Sequence, residues 1–246
     1  MSEQPLVSII IATFNAGKYL QECLESIFSQ RNGSWELLVI DGGSRDETLD
    51  ILDKNRGEIS YLSSEKDEGI YDALNKGAQH ARGRWVYFLG ADDRLLPGFS
   101  DMMNQLREEN TVYYGNSQTY YTGKKPDYVV YTGRYNKYRL AKYPINHQSI
   151  LYPAAVFKKY RYDLRYRIFA DYALNLQVWG DAQFGRRFFP VDMVLYHMSG
   201  FSVNHDDSLF KADKPALVRK SLGRWIYLRY LYKKYKKKLL GQEGFF

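Results

Sequence analysis

Four short apolar runs, each followed by a polar turn and then a helix-like or more polar stretch, constrain this chain more than any other feature. "LVSIIIA" (Leu6 to Ala12), "WELLVID" (Trp35 to Asp41), the weaker "EISYLSS" (Glu58 to Ser64) and "RWVYFLG" (Arg84 to Gly90) have the length and side chains of buried strands. "GKYLQECLESIFSQ" puts Leu20, Leu24, Ile27 and Phe28 on one face of an amphipathic helix. Ser44 is expected to cap the next helix, with Glu47 three residues on as in a capping box. "IYDALNKGAQHA" reads as a third helix. Strands alternating with helices up to Gly90 predict an α/β fold around a parallel sheet with right-handed crossovers.

The second half is less regular. "TVYYGNSQTYYTG" and "DYVVYTGRY" alternate and are tyrosine-rich, as antiparallel or edge strands are. "ADYALNLQVWG" is a helix, and "RRFFPVDMVLYHMSG" is a strand running into a glycine-containing loop. With 246 residues and no low-complexity linker, the two halves are expected to share a core. The single cysteine, Cys23, excludes an internal disulfide and fits a reducing compartment. No apolar run has the length of a membrane span or the flanks of a secretion signal. The expectation is a cytoplasmic protein, soluble or peripheral on the inner face of the plasma membrane.

The net charge of +7 calls for an anionic partner, and many of the bases lie at the end of the chain. There, Trp225, Leu228, Tyr232, Tyr235 and Leu239 form one helical stripe. Arg219, Lys220, Arg224, Arg229, Lys233, Lys234, Lys236, Lys237 and Lys238 fill the other faces. A basic amphipathic helix over 213–246 lies on an anionic membrane surface or packs on the domain, and the membrane is the favoured reading. Nucleic acid is not expected as a partner, because the bases gather at one terminus and the predicted cleft is acidic.

Ligands of open α/β sheets bind at the carboxyl ends of the strands. Here those ends supply Thr13, Phe14 and Asn15; Asp41, Gly42, Gly43 and Ser44; Glu65 to Gly69; and Asp92 with Asp93. Any one of them is an ordinary turn or helix cap; four converging on one edge make a site. The first strand is not followed by GxGxxG and no GxxxxGK[ST] occurs, which argues against a dinucleotide dehydrogenase and a P-loop NTPase. Asp92 and Asp93 repel unless they share a cation. Mg2+ and Mn2+ prefer carboxylate and phosphate oxygens, so a nucleoside diphosphate with a divalent metal fits. A glycoside hydrolase needs carboxyls about 5 to 9.5 Å apart across a sugar, and adjacent residues suit a shared ion better.

"VSIIIATFNAGKYLQECLESIFSQ", "LLVIDGGSRDET", "EKDEGIYDALNKGAQHARGRWVYFLGADD" and "INHQSILY" resemble, in order and spacing, the family 2 glycosyltransferases. The resemblance implies a GT-A fold: a Rossmann-like mixed sheet flanked by helices, over 1–212, with a nucleotide-binding half to about residue 116 and an acceptor half after it. It implies inverting transfer of a sugar from a nucleotide donor, usually UDP-linked, to a glycan or lipid-linked acceptor, with Mn2+ or Mg2+. Thr13, Asn15 and Asp41 resemble the wall around the base, with Asp41 accepting from a uracil-like N–H, and Asp67 a position near base or ribose. Asp92 matches a position near the ribose and Asp93 the metal ligand; Ala91 stands where many members are acidic, which leaves either carboxylate of the pair to touch the cation. Asp171 by itself reads as a helix-capping aspartate; the resemblance makes it the general base, alone because Ala170 precedes it. His147 is a donor-phosphate contact or holds the acceptor loop, and His197 matches a metal- or phosphate-contacting region. Arg134, Arg139 and Lys142 are diphosphate contacts or solvated charges.

Overall fold

The computed structural model describes residues 4–31, 34–120, 129–131, 133–198 and 206–239. The expected parallel unit is present. Strands β1 (Val7–Thr13), β2 (Trp35–Asp41), β3 (Tyr61–Ser64) and β4 (Trp85–Gly90) lie in the order β3-β2-β1-β4, all parallel. Helices α1 (Gly17–Phe28), α2 (Thr48–Lys54) and α3 (Ile70–His80) connect them.

Strand side chains alternate between faces, and this alternation builds two cores. Val7, Ile9 and Ile11 pack with Leu37, Val39, Tyr87 and Leu89 against Leu20, Leu24 and Ile27 of α1. Ile10, Leu38, Val86 and Phe88 point the other way, toward Leu74 of α3 and the helices of the second half. Each fully buried leucine of this kind contributes roughly 2 kcal/mol from the apolar surface it removes from water.

The second half extends the sheet with β5 (Arg94–Leu95), β6 (Thr111–Tyr120), β7 (Val129–Tyr131), β8 (Ile150–Pro153) and β9 (Gly185–His197). The order continues β4-β8-β6-β9-β5, with β7 paired to β6. β6 is an interior strand, antiparallel to β7 and β8 and parallel to β9. Its tyrosines mark aromatic packing: Tyr113 and Tyr114 are buried against Trp85 and Trp179. The remaining helices are α4 (Gly98–Met103), α5 (Lys137–Lys142), α6 (Ala155–Lys159), α7 (Ala170–Gly180), α8 (Ser208–Leu222) and α9 (Arg224–Leu239). The tyrosine-rich residues 121–128, the loop 199–205 and the end of the tail, 240–246, lie outside the described residues.

Two local expectations are corrected. Ser44 does not cap α2, whose N-cap position is Glu47 without a side-chain bond; its hydroxyl donates to Asp41 instead. The basic tail is two helices, and the first begins before residue 213. Gly223 breaks them at φ 93°, a left-handed conformation that glycine adopts without penalty. Asp207 caps α8 by accepting from Phe210 N (3.0 Å), and also accepts from Ile168 N (3.0 Å) and Phe169 N (3.3 Å). One carboxylate thus ties the start of α8 to the segment that enters α7.

Candidate active site

The ends of β1 and β2 are one hydrogen-bonded unit. Asp41 Oδ1 accepts from the hydroxyls of Thr13 (2.9 Å) and Ser44 (2.5 Å). Its Oδ2 accepts from Ser64 Oγ (2.7 Å), Ser44 N (3.0 Å) and Gly43 N (3.1 Å). Burial pushes the Asp41 carboxyl up, and these donors outweigh it and hold the group below the usual carboxylate range. Asp41 is therefore a buried anchor for the turn. Asn15 adopts a left-handed backbone (φ 48°); its N donates to Ser44 Oγ and its Oδ1 accepts from Arg45 N. Asp67 accepts from Gly69 N (2.9 Å), and its carboxylate lies where a Cβ on Gly42 would fall, 2.7 Å from Oδ2. Thr13, Asn15, Asp41 and Asp67 are therefore gathered at one strand edge.

The aspartate pair divides its labour. Asp93 is 1% exposed; its Oδ1 accepts from His197 N (2.6 Å) and its Oδ2 from Gln148 Nε2 (2.5 Å). Burial, then the charge of Asp92, push its carboxyl well above the usual range, while these two donors pull it back. The Asp92 side chain keeps 34% exposure, with Oδ2 3.5 Å from His197 Nδ1. This geometry favours Asp92 over the expected Asp93 as the carboxylate open to a ligand. Gly90 is needed beneath them: a Cβ there would stand 3.1 Å from Asp92 Oδ1 and nearer still to Asp93. His197 is buried, stacked on Tyr120 with ring centroids 4.8 Å apart. No group of three or more His, Cys, Asp or Glu that could enclose a metal occurs among the described residues. Asp92 with His197 beside it fits the other kind of Mg2+ or Mn2+ site, in which one or two protein ligands leave room for substrate phosphates and water.

Asp171 sits in the first turn of α7 and is mostly buried. Tyr71 Oη lies 3.1 Å from its Oδ1, and His147 Nδ1 lies 3.6 Å from its Oδ2. Burial raises the carboxyl above its ordinary value; His147, then backbone and Tyr71 donors, act in the opposite sense. A raised, water-shielded carboxylate is a stronger proton acceptor, which a general base needs.

Sequence reading passed over two residues here. Gln148 bonds Asp93 and accepts from Gly90 N (3.0 Å), while Tyr87 Oη donates to its carbonyl (2.5 Å). Tyr71 joins α3 to the entrance of α7 through Ile168 O and Asp171. Both lie inside quoted motifs, but a glutamine and a tyrosine carry no chemistry of their own that spacing would expose. Of the loop bases, Arg139 lies over Tyr135 (4.2 Å) and Lys142 over Tyr138 (4.5 Å).

A Rossmann-like mixed α/β sheet with these polar residues at its carboxyl edge is the architecture of a GT-A glycosyltransferase. The family described as "Glycosyl transferase family 2" matches residues 8–169, and the chain belongs to it. The match stops two residues short of Asp171. A PGL/p-HBAD biosynthesis glycosyltransferase of Mycobacterium bovis is 35% identical over 207 residues, 80% of this chain and 78% of that protein. A putative teichuronic acid biosynthesis glycosyltransferase of Bacillus subtilis, TuaG, is 36% identical over 96 residues, 37% of each chain. Among solved structures, S. aureus TarS 1-349 in complex with UDP superposes with a TM-score of 0.62 at 17% identity, covering 88% of this chain and 70% of that one. Mannosyltransferase PcManGT from Pyrobaculum calidifontis, in complex with GDP-Man and Mn2+, does so with a TM-score of 0.62 at 12% identity, covering 94% and 75%.

Proposed function

We propose that this family 2 glycosyltransferase is inverting and metal-dependent. It moves a sugar from a nucleoside diphosphate donor, UDP-linked by default, to a hydroxyl of a glycan or lipid-linked acceptor in surface polysaccharide synthesis. The named relatives of PGL/p-HBAD and teichuronic acid biosynthesis, and the nucleotide-sugar complexes of the structural neighbours, support the substrate classes.

Thr13, Asn15 and Asp67 line the base and ribose, and Asp41 holds their turn rigid. Asp92, with His197 beside it, would hold Mn2+ or Mg2+, and the cation would supply positive charge to the leaving group. Asp93 fixes that arrangement from beneath. Asp171 accepts the proton of the acceptor hydroxyl as its oxygen bonds to the anomeric carbon. The bond from that carbon to the diphosphate breaks, and the electron pair leaves with the nucleotide. Attack opposite the leaving group inverts the anomeric centre.

The observation that carries this reading is one short turn. Gln148 bonds Asp93 while its neighbour His147 faces Asp171, so the donor-phosphate end and the base are held by consecutive residues. The exposed stripe of α9 suits placement on an anionic membrane, where a lipid-linked acceptor resides. The test is Asp171→Asn, assayed for nucleotide binding and for transfer. Binding is expected to match the wild type while transfer falls roughly 10²–10⁴-fold. Full-rate transfer by this variant would remove Asp171 from the mechanism.

A further inference from the structure

His147 has a task that neither phosphate contact nor loop support explains. Its Nδ1 is buried and has no hydrogen-bond partner among the described residues, yet lies 3.6 Å from Asp171 Oδ2. The ring sits among aromatic neighbours: Phe88 and Tyr162 have centroids 6.2 Å and 6.4 Å away. A buried imidazole nitrogen facing a carboxylate is complementary when it carries the proton. The opposite oxygen has a different environment. Tyr71 Oη has one proton for two acceptors, Ile168 O and Asp171 Oδ1, and a carboxylate oxygen accepts more than one hydrogen bond. That leaves Oδ1 with acceptor capacity for an incoming hydroxyl.

We propose that His147 is a positioning residue for Asp171: it donates Nδ1–H to Oδ2, fixes the carboxylate's orientation and leaves Oδ1 to take the acceptor's proton. This rests on the reading of Asp171 as the base. Among the described residues, tyrosines also face Asp171: Tyr71 of α3, Tyr152 of β8, Tyr162, and Tyr172 of α7 itself. His147 is thus the imidazole N–H among these neighbours; burial holds the ring below the ordinary histidine range, so it is the neutral ring that donates. Burial lowers the His147 ring's proton affinity and Asp171 raises it, and His147 in turn lowers that of Asp171. Removing either partner should therefore move the other in a known direction.

The test is carbon-13 NMR titration of the Asp171 carboxyl in the full chain, its resonance identified by its loss in Asp171→Asn. Wild type, His147→Asn and His147→Phe are compared. Phenylalanine keeps the ring but removes the donor, so the Asp171 midpoint should rise by about one pH unit. Asparagine keeps an N–H near Nδ1, so its midpoint should stay close to the wild type. In Asp171→Asn the His147 ring should titrate at lower pH than in the wild type, which tests the pair without altering His147. Coincident Asp171 midpoints in wild type and His147→Phe, or equal displacement in both His147 variants, would overturn the proposal. So would an unmoved His147 in Asp171→Asn. These titrations need no turnover. A wild-type protein that transfers no sugar would count against the functional reading, while the midpoints would still decide the role of His147.

Discussion

Asp171 shows at the scale of one residue how folding and chemistry pull apart. The position looks like a helix cap in sequence, but Phe169 holds the N-cap position of α7 and no side chain caps it. Asp171 instead enters a mostly buried site, and burial raises its carboxyl above the ordinary value. An acid whose folded value exceeds its unfolded one opposes folding as pH rises between the two, because the fold then disfavours the ionised form. Asp171→Asn should therefore melt no lower than the wild type at neutral pH, and about 2–4 °C higher for each kcal/mol relieved. Differential scanning calorimetry at pH 5 and pH 8 checks this, with the gain larger at pH 8; a lower melting point at both would assign Asp171 a structural role. The same sign puts the acid limb of activity above the usual carboxylate range. Sequence identified the carboxylates but not their division of labour. Which of Asp92 and Asp93 stays open is decided by Gln148 and His197, far along the chain, and nothing local to "GADD" encodes that.

At the scale of elements, β1 to β4 were legible because buried parallel strands are written as apolar runs and their helices as 3.6-residue stripes. Ser44 misled because Ser-x-x-Glu is a local pattern, while the hydroxyl is claimed by Asp41 across the turn. The tail shows a similar limit. Its stripe was readable, but not which face meets the domain. Ile226, Tyr227, Tyr230 and Leu231 of α9 pack on the core. Trp225, Tyr232 and Tyr235 are 85%, 69% and 63% exposed. The two readings of the tail thus fall on two faces of one helix, and the outward one is aromatic among bases. In flotation with vesicles containing about a third anionic lipid, the triple variant Trp225→Ala/Tyr232→Ala/Tyr235→Ala should lose roughly tenfold or more in partitioning, with its melting point unchanged. High salt should weaken wild-type binding as well. Equal partitioning of both proteins would exclude this face as the membrane contact.

Across the whole molecule, the parallel sheet brings the polar strand ends to one edge, and the second half delivers Asp171. The turn at His147–Gln148 joins them, and Asp207 fastens α8 to the entry of α7. The first half was legible because its residues sit directly on strand ends. In the second half the elements were legible, the helix at Ala170–Gly180 and the strand ending at His197 among them, but not their assembly, which depends on contacts between β6, β8, β9 and the last helices that have no local signature. Donor recognition is the claim on which the rest depends. Calorimetric titration of UDP, GDP and dTDP, with Mn2+ and with EDTA, into wild type, Asp92→Asn and Asp93→Asn tests it most directly. One nucleotide, UDP by default, is expected to bind the wild type only with metal. Asp92→Asn should lose that metal dependence, and Asp93→Asn should weaken binding less. Failure of all three nucleotides to bind in the presence of Mn2+ would contradict it.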